Sequence, residues 1–221
     1  MDLTLYAAPG TCARVTMIAL EEAGLPFTVE LVRFMKQQHM SDEYRAKNPL
    51  GKVPSLTVDG QNLRENVAIL LWLNETNPQA KLLPPATDAF AKAQQTADIC
   101  FCSSTLHPIV TRIALPMMFG PPDAIPGIRA SAETMMRRFF AVIEERLQTR
   151  DYWYGDEWSI MDAYIGWVYA RITGVGFDAS AFPHLNAMIG RHLVRPSVAR
   201  AMAREAEMQA QLESEGMAMK L

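Results

Sequence analysis

Residues 48–66 read NPLGKVPSLTVDGQNLREN, and this stretch decides how the first part of the chain folds. Residues 53–58 are rich in β-forming side chains, and Asp59-Gly60 is a tight-turn pair leading to a second short strand at 61–63. Residues 65–74 then carry apolar side chains at helical spacing. The pattern predicts a β-hairpin followed by a helix.

The residues before this stretch predict a β-α-β unit. Residues 2–7 are strand-like, residues 15–23 have helical apolar spacing, and Gly24-Leu25-Pro26 ends that helix. Residues 27–34 predict a second strand, and the polar segment 36–47 predicts a helix or a loop. Two strands joined through a helix are expected to be parallel. The predicted order is therefore β-α-β-(α)-β-β-α.

After residue 76 the pattern changes. Pro78, Pro84 and Pro85 lie close together and are typical of a linker, and no convincing strand follows. Helical patterns cover residues 87–118, 128–149, 160–172 and 184–212. We therefore expect an α/β domain over residues 1–78, a linker over 79–87 and an all-helical domain over 88–221.

Composition limits the possible partners and location. The formal charge is −3 and the pI is near 5.8, which gives no electrostatic reason to expect nucleic acid or an anionic membrane as a partner. The N-terminal residues lack the pattern of a secretory signal, and there is no run of about 18 apolar residues. Three cysteines, an odd number, argue against a disulfide framework. We expect a cytoplasmic protein.

Cys12 is the most informative single residue for chemistry. It lies where the first strand turns into the first helix, and a helix N-terminus favours an anion. That position can lower the pKa of a thiol by about one unit. Thr11 can donate a hydroxyl hydrogen bond at the same place. Burial as a small apolar side chain is the alternative for Cys12. A CxxC motif is absent, since Ala13, Arg14 and Val15 follow it.

Four segments resemble, in order along the chain, motifs of the cytosolic glutathione S-transferases. They are NPLGKVP (48–54), RENVAI (64–69), SIMDA (159–163) preceded by YGD (154–156), and RPSV (195–198). The resemblance implies a thioredoxin-like N-terminal domain that binds glutathione and an all-α C-terminal domain that contributes the second-substrate pocket. It also implies a detoxifying enzyme that is a homodimer. Ser159 and Asp162 would form a structural capping box.

Within that family the chain is most similar to the bacterial beta class. APGTC (8–12) resembles the class segment that carries a cysteine, and SSTLH (103–107) resembles a segment whose histidine faces the active site. Ala13 and Arg14 depart from the residues expected after the cysteine. Asn66 replaces a usual serine, and Cys100 stands where the class often has an asparagine.

The resemblance also assigns roles to individual residues. Cys12 and Thr11 are the expected catalytic residues. Glutathione would be bound by Lys36, Lys52, Val53, Pro54, Glu65 and Asn66, with Pro54 in cis and Val53 offering its backbone. Glu65 would meet the γ-glutamyl ammonium, Asn66 the adjoining carboxylate and Lys36 the glycyl carboxylate. The expected second-substrate residues are His107, Arg14, Tyr164 and Arg171, with Trp167 on the same helix face as the last two.

The expected reaction uses glutathione as co-substrate. Its thiolate would act on a small hydrophobic electrophile or on a glutathione mixed disulfide, with the negative sulfur stabilised at the start of helix one. A glutathione-dependent isomerase or dehalogenase is an alternative, as is a non-catalytic binding or regulatory protein of the same fold. No metal is expected, because Cys100 and Cys102 point to different sides of a helix and no zinc spacing is present.

Overall fold

The computed structural model describes residues 1–217, and the chain within it forms two compact units. Unit 1 comprises residues 1–82 together with 195–217, and unit 2 comprises residues 83–194. This division differs from the expected one, because the last helix belongs with the N-terminal unit. The final residues of the expected helical domain, 218–221, lie outside the described part.

Unit 1 contains a four-stranded sheet of order β2-β1-β3-β4. Its strands are β1 (Leu3–Ala7), β2 (Thr28–Leu31), β3 (Ser55–Val58) and β4 (Gln61–Arg64). β1 is parallel to β2 and antiparallel to β3, and β3 is antiparallel to β4. Asp59 and Gly60 both have positive φ, as a two-residue hairpin turn requires. The predicted thioredoxin-like α/β fold is confirmed.

The helices of unit 1 are α1 (Ala13–Glu22), α2 (Asp42–Lys47), α3 (Asn66–Thr76) and the last helix of the chain, which runs from Pro196 to Ser214. Two short turns, at Phe34–Lys36 and Gln38–Met40, precede α2. α1 is almost entirely buried, and Gly24 with φ +64° ends it. β3 begins at Ser55 rather than at Val53, because Pro54 has no N–H to donate to a strand.

Unit 2 is helical. It consists of α4 (Ala89–Cys100), α5 (His107–Ala114), α6 (Ile125–Leu147), α7 (Ile160–Thr173) and α8 (Pro183–Leu193), so the last helix of unit 1 is α9. A π-helical segment, Phe101–Leu106, joins α4 to α5, and the His107 N–H donates to the Cys102 carbonyl. Pro108 has no N–H to donate in the regular α-helical pattern, which explains why the backbone hydrogen bonding changes from α- to π-helical just before it. None of the described helices is long and apolar enough to cross a membrane.

The predicted continuous helix over 184–212 is wrong. α8 ends at Leu193 and α9 starts at Pro196, with Arg195 in an extended conformation between them. The ring of Pro196 clashes with a helical conformation of the preceding residue, so the chain breaks at this point. The break allows α9 to join unit 1.

Gly166 on α7 lies against the ring of His192 on α8. A Cβ placed on Gly166 would be 2.7 Å from ring atoms of His192, which is itself buried and accepts a hydrogen bond from the Trp158 indole N–H at 3.2 Å. We expect Gly166→Ala to destabilise the protein by about 1–3 kcal/mol through overpacking. Urea unfolding followed by circular dichroism measures the change.

Gly190→Ala is the matched control for that substitution. Gly190 is exposed on α8, and a Cβ there meets nothing within 4 Å. Gly190→Ala should leave the free energy of unfolding unchanged or raise it by up to about 1 kcal/mol, since alanine is the better helix former. Equal effects of the two substitutions would contradict the packing argument.

Candidate functional site

The loop between β1 and α1 carries Cys12 at the boundary of the helix. Gly10 turns the chain with φ +72°, and Cys12 is the N-cap of α1. Its side chain is only 7% exposed, and its Sγ lies 3.8 Å from the carbonyl oxygen of Val53, to which it donates. The expected position of Cys12 at the strand–helix turn is therefore present in the structure.

The protonation state of Cys12 differs from the expectation. Burial raises the pKa of this thiol to about 12, and the negative charge of Glu65 adds to the increase. The backbone N–H bond at Cys12 and the positive charge of Lys52 act in the opposite direction but are outweighed. The predicted lowering of this pKa by the helix N-terminus is not observed, because the cost of removing a thiolate from water is larger. Cys12 is a neutral thiol at pH 7.

Thr11 does not offer its hydroxyl proton to a sulfur. Its Oγ1 donates to the carbonyl oxygen of Ala8 at 2.6 Å, within the same loop. A hydroxyl has one proton to donate, so the predicted catalytic donation from Thr11 is replaced by a bond that shapes the turn before Cys12.

The loop that precedes β3 presents Val53 to Cys12. The Val53–Pro54 bond is cis, as the resemblance implied. Two buried side chains hold the loop, because the Tyr44 hydroxyl and the Asn48 amide both donate to the Lys52 carbonyl at 2.7 Å. Tyr44 comes from α2 and was not identified from the sequence, where it looks like one more apolar residue in a polar segment. It fixes the backbone beside the cysteine.

Glu65 and Asn66, at the start of α3, have separate environments. Glu65 is exposed and has φ +67°, a conformation that non-glycine residues rarely adopt and that is often found at functional positions. Asn66 is buried. Its Oδ1 accepts from the Thr16 hydroxyl at 2.7 Å and its Nδ2 donates to the Cys12 carbonyl at 2.9 Å. The predicted contact between the Asn66 side chain and a ligand carboxylate is therefore not available.

The two lysines expected to bind glutathione both face solvent. Lys52 lies in the loop before β3, and its charge acts on Cys12. Lys36 ends the short turn after β2, and its charge contributes a smaller part of the lowered pKa of Glu215, whose main cause is hydrogen bonding from Arg33. Lys52 is thus tied electrostatically to the cysteine site, and Lys36 to the end of α9.

Arg14 is engaged within unit 1. Its Nε lies 2.5 Å from Oε2 of Glu205 on α9, and its second guanidinium nitrogen lies 2.9 Å from Oε1. The same carboxylate accepts from the Gly10 N–H. The predicted role of Arg14 in a second-substrate pocket is therefore replaced by a two-point ion pair. Neither Glu205 nor this pair was identified from the sequence, because the partners are separated by 191 residues.

The remaining second-substrate residues lie in unit 2. His107 is half-buried, its Nδ1 is 3.5 Å from the Tyr164 hydroxyl, and its ring packs edge-on against Trp167 with centroids 4.5 Å apart. Tyr164 and Trp167 are buried core residues of α7, and Arg171 is half-buried further along the same helix. The structure brings His107, Tyr164 and Trp167 together.

Cysteine and acidic side chains do not form a metal centre in the described residues. Across residues 1–217 no group of three or more His, Cys, Asp or Glu side chains is arranged to hold a metal ion. Cys12, Cys100 and Cys102 are all free thiols. Cys102 is completely buried, and burial raises its pKa well above the ordinary value. This thiol is therefore inert.

The sheet order, the cis-proline loop beside a cysteine and the separate helical unit define a thioredoxin-like domain joined to a helical one. Residues 10–76 match the family model "Glutathione S-transferase, N-terminal domain". Glutathione S-transferase GST-4.5 of Xanthomonas campestris pv. campestris is 30% identical over 216 residues, which is 97% of this chain and 100% of that protein. The chain belongs to the glutathione S-transferase family.

Other comparisons refine this assignment. A bacterial beta class glutathione S-transferase from Sphingomonas chungbukensis superposes with a TM-score of 0.80 at 31% identity, covering 91% of this chain and 98% of that one. A glutathione transferase homologue from Sulfitobacter, solved with bound glutathione, has a TM-score of 0.79 at 28% identity and covers 98% and 99%. Maleylpyruvate isomerase from Ralstonia is 31% identical over 172 residues, 75% of this chain and 79% of that protein.

Proposed function

We propose that this chain is a glutathione S-transferase enzyme that binds glutathione in unit 1 and uses it on a small hydrophobic electrophile or a glutathione mixed disulfide. The observation that carries the proposal is the position of Cys12, whose sulfur lies 3.8 Å from the Val53 carbonyl beside the cis-proline. Glutathione bound by a relative of the same fold supports it as the co-substrate.

The residues around Cys12 suit a zwitterionic peptide. Glu65 offers a carboxylate to the γ-glutamyl ammonium, and the first N–H groups of α3 offer donors to the adjoining carboxylate. The Val53 backbone would pair with the cysteinyl part, next to Pro54. Lys52 and Lys36 supply positive charge for the glycyl carboxylate. The Asn66 side chain takes no part in this binding, since both of its polar groups are already used.

In this proposal Cys12 acts as a neutral hydrogen-bond donor. A thiol with a raised pKa keeps its proton at pH 7. Its single S–H, which donates to the Val53 carbonyl in the structure, would turn to donate a hydrogen bond to the glutathione thiolate. That thiolate then forms a bond to the electrophilic carbon, and a leaving group departs with its electron pair or the product takes up a proton. With a mixed disulfide, the thiolate attacks sulfur and releases the other thiol.

Two substitutions of Cys12 test this role. Cys12→Ser keeps a donor and should retain kcat/KM for an activated aryl halide within about threefold, whereas Cys12→Ala should lose about 10-fold because a charge-assisted hydrogen bond disappears. The initial rates of both variants are measured at saturating glutathione, first with the aryl halide and then with a glutathione mixed disulfide as the second substrate. Equal, near-complete loss in both variants would instead indicate covalent participation of Cys12, and wild-type rates in both would remove the cysteine from the mechanism.

The similarity to a maleylpyruvate isomerase favours a second candidate function, a glutathione-dependent isomerase. In such a reaction glutathione adds to a double bond and leaves again, so it is regenerated. Arg171, a half-buried arginine of unit 2, is the residue that we propose would meet a carboxylate of the substrate. Conversion of a cis-unsaturated dicarboxylate without consumption of glutathione would select this function over transfer.

A homodimer and a cytoplasmic location complete the proposal. The odd number of cysteines, all free, is compatible with a reducing compartment. Light scattering of the purified protein measures the mass directly. Retention on immobilised glutathione without turnover of any substrate class would favour the alternative of a non-catalytic binding protein.

A further inference from the structure

Glu205 occupies an unusual position for a carboxylate. It is 7% exposed and belongs to α9, yet its oxygens accept from the Gly10 N–H and from Arg14, on either side of Cys12. A buried carboxylate needs a positive partner, and Arg14 supplies one with the two-point geometry of a guanidinium fork. Glu205 therefore binds the loop at Gly10 and at Arg14, and we call this set of contacts among Gly10, Arg14 and Glu205 the clamp.

The charges of this clamp are balanced. Lys52 and Glu65 are charged groups of other segments that act on the pKa of the Cys12 thiol. Within the clamp, Arg14 Nε and Glu205 Oε2 lie 2.5 Å apart, and two opposite charges at that separation largely oppose each other's field at a third group. The neighbouring acid on α1, Glu21, is separately paired with Arg200 and Arg204.

We propose that Arg14 and Glu205 are positioning residues for Cys12. Glu205 holds the backbone of the cysteine loop to α9. Arg14 balances the charge of Glu205, so the pair adds no net negative charge beside the Cys12 sulfur. The inference rests on the proposed function for its catalytic meaning, but the clamp itself can be tested on the Cys12 thiol without any substrate.

Alkylation of Cys12 by the neutral reagent iodoacetamide at pH 8 is the test, with the modified peptide quantified by mass spectrometry so that Cys100 does not contribute. Far below the pKa of the thiol, the rate is proportional to its thiolate fraction. Glu205→Gln keeps an acceptor for Gly10 but leaves Arg14 uncompensated, so alkylation should be about 3- to 10-fold faster. Arg14→Gln leaves Glu205 uncompensated and should slow it by a similar factor. The double variant should return close to the wild-type rate.

The opposite signs separate positioning with charge balance from a merely structural role. Loosening of the loop can only speed alkylation, so a faster rate in Arg14→Gln, or no rescue in the double variant, would overturn the proposal. Arg200→Gln is the matched control, because it removes an arginine of α9 whose partner Glu21 keeps Arg204. Its alkylation rate should be unchanged, and thermal melts should show that all variants are folded.

Turnover separates the two proposals. If the wild-type protein transfers glutathione, the acid limb of its kcat/KM profile should move to lower pH in Glu205→Gln and to higher pH in Arg14→Gln. If the wild-type protein has no turnover while the alkylation rates follow the expected signs, the proposed function fails and the clamp stands. If the wild-type protein transfers glutathione but all variants have equal alkylation rates, the clamp proposal fails and the proposed function stands.

Discussion

Replacement of Asp162 by alanine is expected to remove about 3–5 kcal/mol from the stability of the protein. The Asp162 carboxylate is fully buried and accepts three hydrogen bonds, from the Trp153 N–H at 2.8 Å, the Ser159 N–H at 2.8 Å and the Ser159 hydroxyl at 2.9 Å. It forms the predicted capping box at the start of α7. Alanine would leave two buried N–H groups without an acceptor.

The size of this effect follows from the place of α7 in unit 2. Ten of its residues, from Ile160 to Ile172, are buried, so the whole unit depends on the helix starting correctly. Burial raises the pKa of Asp162 to about 6, opposed by these hydrogen bonds, so the group is ionised at pH 7 and all three donors face a charge. A loss of this size is a large part of the total stability of most domains.

Urea unfolding at pH 7 provides the measurement, with Glu157→Ala as the control. Glu157 is exposed in the same segment, two residues before Ser159, and its removal should change the unfolding free energy by less than about 0.5 kcal/mol. A stability of Asp162→Ala within about 1 kcal/mol of wild type would mean that the capping box does not hold the helical unit.

Glu65→Gln is expected to weaken glutathione binding by about 10- to 100-fold while leaving stability unchanged. A hydrogen bond to a charged partner contributes about 1.5–3 kcal/mol, and glutamine keeps the size of the side chain but loses its charge. Glu65 is exposed at the start of α3, and its charge reaches Cys12, so the carboxylate belongs to the cysteine site. The backbone at residue 65 should keep its positive φ in Glu65→Gln, since glutamate and glutamine have side chains of the same shape.

Isothermal titration with glutathione measures this loss, and thermal unfolding checks the fold. Glu43→Gln is the control, because Glu43 is an exposed carboxylate of unit 1 in the first turn of α2. It should bind glutathione as the wild type does. An unchanged dissociation constant for Glu65→Gln would remove Glu65 from the binding site and would weaken the proposed placement of the γ-glutamyl end.

Residues that act through their neighbours in sequence were predicted well. The Asp59-Gly60 turn, the helix stop at Gly24 and the Ser159–Asp162 capping box all depend on bonds within a few residues, and all three are present. The break before Pro196 belongs to the same class of local effects, but the helical pattern on both sides concealed it. Local chemistry can be read from local sequence, and that was sufficient for the order of elements.

Predictions about side-chain roles were less successful where the partner is distant in sequence. Asn66 was expected to bind a ligand, but it bonds to Thr16 and Cys12, and Arg14 was expected in a pocket, but it pairs with Glu205. In both cases the residue type was compatible with either role. The choice depended on which group of another element came within hydrogen-bond distance.

The sequence alone determined the order of elements in the thioredoxin-like unit, because turn chemistry and apolar periodicity are local properties. The family resemblance rested on the motifs at 48–54, 64–69, 159–163 and 195–198 taken together. Only the tertiary structure decided that α9 joins this unit, that Glu205 reaches the cysteine loop and that Cys12 is a protonated thiol. The physical reason is that burial and charge pairing depend on all the elements packed around a group. The position of Cys12 beside its own helix N-terminus was a local fact, but its pKa is set by the whole unit.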